Sequence, residues 1–119
     1  MRITRVVNRK EPYDVYIGRP TIWGNPWSHN ENSTAPFKVA TRNEAVDNYE
    51  HWLRTSEVRC GNTVVSQDVI EFLHLMRHQI LTCLPELEGY TLGCWCHPAR
   101  CHGDVLVKLL RERCDNKTA

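Results

Sequence analysis

Gly93-Cys94-Trp95-Cys96-His97-Pro98-Ala99-Arg100-Cys101-His102-Gly103-Asp104 is the stretch on which the reading of this chain turns. A short apolar run, Tyr90-Thr91-Leu92, leads into it, and a helical pattern, Val105 to Arg113, leads out. The order this predicts is strand, tight loop, helix. In small α/β proteins that junction is where ligands and chemistry sit. Three of the six cysteines and two of the six histidines fall inside it.

The remaining chain reads as the frame for this loop. Ile3 to Asn8 is a first strand pattern. In Tyr13 to Gly18, Tyr13, Val15 and Ile17 alternate with Asp14 and Tyr16, the period of a strand. The polar turn with Pro12 between the two predicts a hairpin. Gly18 to Trp27 is rich in Gly, Pro and Trp, so it is a stiff aromatic loop, with Gly24 free to take positive φ. Ser28 to Lys38 is polar and reads as a surface loop.

Thr41 with Glu44 forms a capping box, and Ala45, Val46, Tyr49, Trp52 and Leu53 recur at helical spacing. Cys60-Gly61-Asn62 reads as a turn, with Thr63-Val64-Val65 a brief strand. Ser66 is an N-cap, and Val69, Ile70, Leu73, Met76, Ile80, Leu81 and Leu84 form a long apolar stripe that Pro85 ends. His74 and His78 lie four apart beside it; without a Glu-bearing motif they read as solvated or packed. The expected fold is a small α/β domain of two or three layers. It has a short sheet, about three helices, and the Cys-His loop between the last strand and the C-terminal helix.

At 119 residues the chain is one domain, 1–119, with residues 56–65 an inserted loop or hairpin and 114–119 a frayed tail. An apolar content of 41% supports a real core. No apolar run approaches the roughly 20 residues of a membrane span, and Met1 to Arg5 leads into no signal-type apolar region. A cytoplasmic location is expected, and the Asn32-Ser33-Thr34 and Asn116-Lys117-Thr118 sequons carry no weight. A net charge of +1 gives no global case for nucleic acid. Clustered cysteines in such a chain point to metal, catalysis or redox chemistry before a disulfide framework.

Two chemistries fit the loop. Cys94, Cys96, Cys101 and His102 supply three thiolates and an imidazole, a donor set for tetrahedral zinc. The spacing Cys-x-Cys-x4-Cys-His is denser than paired Cys-x2-Cys knuckles, and the adjacent Cys101 and His102 must bend sharply to share one ion. The second chemistry is a reactive thiol. Cys101 stands at a helix start between Arg100 and His102, where dipole and cations lower a thiol pKa. Free N–H groups there also suit a phosphate or an oxyanion. Asp104 can serve such a site or simply cap the helix. Cysteine is also a small buried hydrophobe, which accounts for Cys60, Cys83 and Cys114 better than for the cluster.

Two stretches taken together carry a resemblance. They are Tyr13 to Pro20 running into Trp23-Gly24-Asn25-Pro26-Trp27, and Leu92 to Pro98 running into Cys101-His102-Gly103-Asp104-Val105-Leu106. The chain resembles the domain of unknown function numbered 4326, a family of small proteins common in bacteriophages and bacteria. The resemblance covers most of the chain, including the helix with Tyr49 and Trp52, while Arg54 to Ile80 is longer than it leads one to expect. It implies a phage or bacterial accessory protein in the (host) cytoplasm. It also implies that the Arg19–Asn25 and Cys94–Asp104 loops share one site. The closing loop more loosely resembles a second small α/β family ending in Cys-His-Arg, with Gly103 in place of the Arg.

Two functions follow. One is an enzyme, or degenerate enzyme, acting on a nucleotide or other phosphorylated small molecule. There Cys96 or Cys101 is the thiol, His102 an acid/base and Asp104 its neighbour, with Arg19, Trp23, Asn25 and Arg100 as ligand contacts. The other is a zinc-stabilised module in which the cysteines hold the fold and the Trp-rich loop docks on a host protein or nucleic acid.

Overall fold

A computed structural model describes residues 3–30, 32–33, 35–61 and 64–118, the last five of these as backbone only. Five short strands, β1 (Arg5–Asn8), β2 (Val15–Tyr16), β3 (Trp27–Ser28), β4 (Phe37–Lys38) and β5 (Thr91–Cys94), accompany three helices, α1 (Arg42–Thr55), α2 (Gln67–Cys83) and α3 (His102–Thr118). The domain is α/β, as the sequence predicts.

The strands do not form the predicted hairpin. β5 lies between β1 and β2 and runs parallel to both, with Val6 opposite Leu92 and Tyr16 opposite Gly93. Local patterning could not show this, because the strand that separates the pair comes more than 70 residues later in the chain. The burial explains the order. All four residues of β5 are buried, whereas Val15 and Tyr16 are only partly so. A central parallel strand is covered on both faces and reads as a continuous apolar run.

The 28–38 segment also departs from a surface loop. Its ends pair in parallel as β3 and β4, and Phe37 is buried, stacked on Trp27 with ring centroids 5.3 Å apart. Trp27 meets Trp52 edge-on and donates its indole N–H to the Arg59 carbonyl at 2.6 Å. That bond ties the irregular 56–61 segment to the core, where Val58, Cys60 and Val65 pack. Of the brief strand expected at Thr63-Val64-Val65, Thr63 lies outside the described residues, as does Asn62 of the preceding turn, and Val64 and Val65 are irregular. Thr34 of the first sequon is likewise outside them, and Cys114 and the 116–118 sequon are described as backbone alone.

The helices follow their caps. Thr41 Oγ1 accepts from the Glu44 N–H at 3.1 Å, and Ala45, Val46, Tyr49, Trp52 and Leu53 are all buried. Ser56, in the left-handed region at φ 69°, ends α1 and donates its N–H to the Trp52 carbonyl. Ser66 caps α2, whose Leu73 and Ile80 reach the core, and Pro85 leads into a 3-10 turn at Leu84–Leu87. His74 and His78 are exposed. α3 starts at His102, three residues before the predicted pattern. No described helix is long and apolar enough to cross a membrane.

Candidate functional site

Because the three strands of the main sheet run the same way, the loops after β1, β2 and β5 leave one edge together. That edge, outside the carboxyl ends of parallel strands, is where open α/β folds bind ligands. The loop after β2 carries Arg19 to Asn25, and the chain supplies two further pieces there: the start of α1 and the start of α3.

Each piece is held by its own bonds. Asn25 donates through Nδ2 to the Ala45 carbonyl at 3.0 Å and accepts from the Trp27 N–H through Oδ1 at 2.9 Å, so it fastens the loop to α1. Arg19 Nη1 donates to the Asn25 carbonyl at 2.5 Å. Gly24 does not take positive φ; its hydrogen is needed because a Cβ would sit 2.9 Å from Arg19 Cγ. Trp23 is buried, and its carbonyl accepts the Tyr49 hydroxyl at 2.8 Å.

The start of α3 is a capping box made with a cysteine. Cys101 Sγ accepts from the Gly103 N–H at 3.2 Å, and the Asp104 carboxylate accepts from the Cys101 N–H at 3.0 Å. This reciprocal pattern satisfies two otherwise orphaned donors. Gly103 is helical, not in an unusual backbone conformation, and its missing Cβ leaves room for Ile17 and Val6. The carboxylate of Asp104 is thus engaged with backbone.

β5 ends at Cys94, so Cys94 and Cys96 do not share a strand face. Cys94 is buried, with Sγ 2.9 Å from Cys101 Sγ, whereas Cys96 is partly exposed in the turn beyond. The Cys101 S–H holds the Cys94 thiol down to about 6, helped by the backbone N–H groups of His97 and Cys96 and opposed by burial. Cys101 moves the other way, pushed up by the Cys94 sulfur and by burial. The pair therefore loses its first proton easily and holds its second, since one sulfur donates to the other. This reverses the expectation of a lowered Cys101 pKa, because the neighbouring sulfur acts more strongly than the helix start. Burial and the charge on Cys94 push Cys96 up, while Arg42 and Arg19 oppose them.

His102 donates from Nε2 to the Ile17 carbonyl at 2.7 Å and packs edge-on against Tyr49 with centroids 5.3 Å apart. Burial pushes the imidazole down to about 4, against the pull of that carbonyl, with the Arg19 charge adding to the fall. The ring is therefore neutral, with its proton on Nε2 and a lone pair left on Nδ1. His102 and Cys101 face different partners, and among the described residues no three His, Cys, Asp or Glu side chains converge on a metal-sized point.

Around these groups lies a cleft in two parts. An inner pocket of about 110 Å³ is lined by Arg19, Asn25, Arg42, Arg100, Cys96, Cys101 and His102 among others. An outer hollow of about 650 Å³ shares Arg19, Arg42, Trp95 and Cys96 with it and adds Tyr16, Asn30 and Asn32. So Arg19, Asn25, Cys96, Arg100, Cys101 and His102 come together, while Trp23 lies outside both linings, and among the described residues no Asp or Glu lines either part. Arg100 is paired with Asp47 at 2.8 Å on the rim.

Sequence reasoning missed Arg42. It is the first residue of α1, its Nε is shut off from solvent with no hydrogen-bond partner, and its charge lies against the Cys96 thiol. A cation at a helix N-terminus opposes the helix dipole. That mismatch, Arg directly after an N-cap Thr, was the available signal.

The model of a family described as a domain of unknown function (DUF4326) matches residues 2–112. The chain belongs to that family. It is also similar to an uncharacterised 12.4 kDa protein encoded in the nrdA-td intergenic region of Enterobacteria phage T4, at 28% identity over 114 residues, covering 93% of this chain and 81% of the phage protein. No solved structure matches the chain. The matched residues span the whole cleft, so the site belongs to the family domain and not to an appendage.

Proposed function

We propose that this chain binds a phosphorylated small molecule in the cleft and acts on it through the Cys-His loop. The observation that carries this reading is the lining: Arg19, Arg42 and Arg100, the starts of α1 and α3, and among the described residues no carboxylate. A partly desolvated guanidinium binds an oxyanion more strongly than one in water, and planar guanidinium groups match phosphate geometry. Burial lowers the Arg19 pKa, which marks it as such a group.

The chemistry assigned to the thiols and imidazole follows from their states. Cys96 lines both parts of the cleft, where Arg42 and Arg19 favour its thiolate against burial and Cys94, which push it up. His102 offers Nδ1 as a proton acceptor while Nε2 is held by Ile17. Cys101 also lines the inner pocket, and its contact with the buried Cys94 sulfur ties β5 to the start of α3.

Titration calorimetry with inorganic phosphate and pyrophosphate at low ionic strength tests the binding. The wild-type protein should bind at least one of them, and Arg42→Ala, with its helix content verified by circular dichroism, should weaken binding about tenfold or more. Failure of the wild type to bind either anion, or equal binding by the variant, would sink the reading.

A further inference from the structure

Trp95 is 58% exposed, whereas Trp23, Trp27 and Trp52 are at 7%, 1% and 0%. It follows β5 directly and stands at the mouth of the cleft, lining both the inner pocket and the outer hollow. An indole left in water forgoes the stabilisation that burial of so large an apolar surface provides.

This indole is also held in place. Its N–H donates to the Tyr16 hydroxyl at 2.6 Å, and the Arg9 guanidinium carbon lies 3.2 Å from the ring centroid, covering one face. Tyr16 is positioned in turn by its tilted contact with Tyr13, with centroids 6.1 Å apart. Room for it comes from Gly18, where a Cβ would sit 2.3 Å from the Tyr16 hydroxyl oxygen. The result is an oriented, exposed aromatic plate with one cationic face, beside a pocket lined by arginines.

We infer that the ligand is a nucleoside monophosphate or a molecule of that build, with its base stacked on Trp95 and its phosphate among Arg19, Arg42 and Arg100. The inference rests on the phosphate reading above and narrows it to a ligand with a planar base. The dimensions agree: an inner pocket of about 110 Å³ takes one small group, and an outer hollow of about 650 Å³ is in the range of small-molecule sites. Base-on-indole stacking is tolerant of base identity, so the plate alone selects for an aromatic ring and not for one base.

Calorimetric titration with the adenosine, guanosine, cytidine and uridine 5′-monophosphates, and with ribose 5-phosphate, separates the two readings. Wild type should bind at least one nucleotide about tenfold more tightly than ribose 5-phosphate. Trp95→Ala, a change at an exposed position, should abolish that difference, and Trp95→Phe should restore part of it. Equal binding of nucleotides and ribose 5-phosphate by wild type, or a ratio that Trp95→Ala does not move, overturns the base-stacking inference and leaves the phosphate reading standing. Absence of binding by all five overturns both.

Discussion

His102→Gln should flatten the acid side of the stability profile. Burial pushes His102 down to about 4 from the usual 6.5, so the unfolded chain takes up this proton at a higher pH than the folded one. The sign follows: its contribution to stability is complete above about pH 6.5 and is lost as pH falls toward 4. With those two values, the folded state loses about 2 kcal/mol between pH 7 and pH 5 through this one group. Gln keeps an N–H donor for the Ile17 carbonyl, which His102 Nε2 reaches at 2.7 Å, but takes no proton. Urea unfolding, followed by tryptophan fluorescence at both pH values, gives the measurement. Wild type should lose about 2 kcal/mol more than the variant over that interval. Equal losses would show that His102 protonates in place, and the account of a neutral ring with a fixed tautomer would be wrong.

One thiolate should titrate near pH 6 in the folded protein, read from its ultraviolet absorbance. It should vanish in Cys94→Ser and move upward in Cys101→Ala, which removes the S–H that stabilises it; an unchanged titration in both would refute the hydrogen bond between the two sulfurs. Gly103→Ala should destabilise the protein, because its Cβ would meet Ile17 Cδ1 at 2.7 Å and Val6 Cγ2 at 3.0 Å. Overpacking of about 1–3 kcal/mol exceeds the roughly 1 kcal/mol that Ala gains over Gly in a helix, and a raised urea midpoint would contradict the packing.

What could be read from the sequence was what is local. The α1 cap and its five buried positions were legible because Thr41, Glu44 and the apolar spacing all lie within one helix. The last strand, loop and helix were legible for the same reason, although the Cys101–Asp104 cap moves the helix start forward to His102. The pairing of β1 and β2 was not, since a turn containing Pro12 fits a hairpin as well as a crossover and only β5 decides between them. Phe37 was hidden by polar neighbours, and β3 and β4 are only two residues each, too short for alternation to register. At the cleft, the cysteines and Arg19 stood out by composition. Arg42 did not, because its position inside a helix-start signal gave it a structural explanation that looked complete.

The placement of β5 has a consequence for synthesis on the ribosome. β1 and β2 are each bonded to β5 and not to each other, so the nascent chain can carry both strands without being able to join them. Until Thr91–Cys94 emerges from the exit tunnel, the main sheet has no middle, and two strand edges wait unpaired. The segment that completes the sheet also leads straight into the Cys-His loop and α3. Closing the main sheet late and building the cleft are therefore one step, and a chain stalled before residue 91 would have neither.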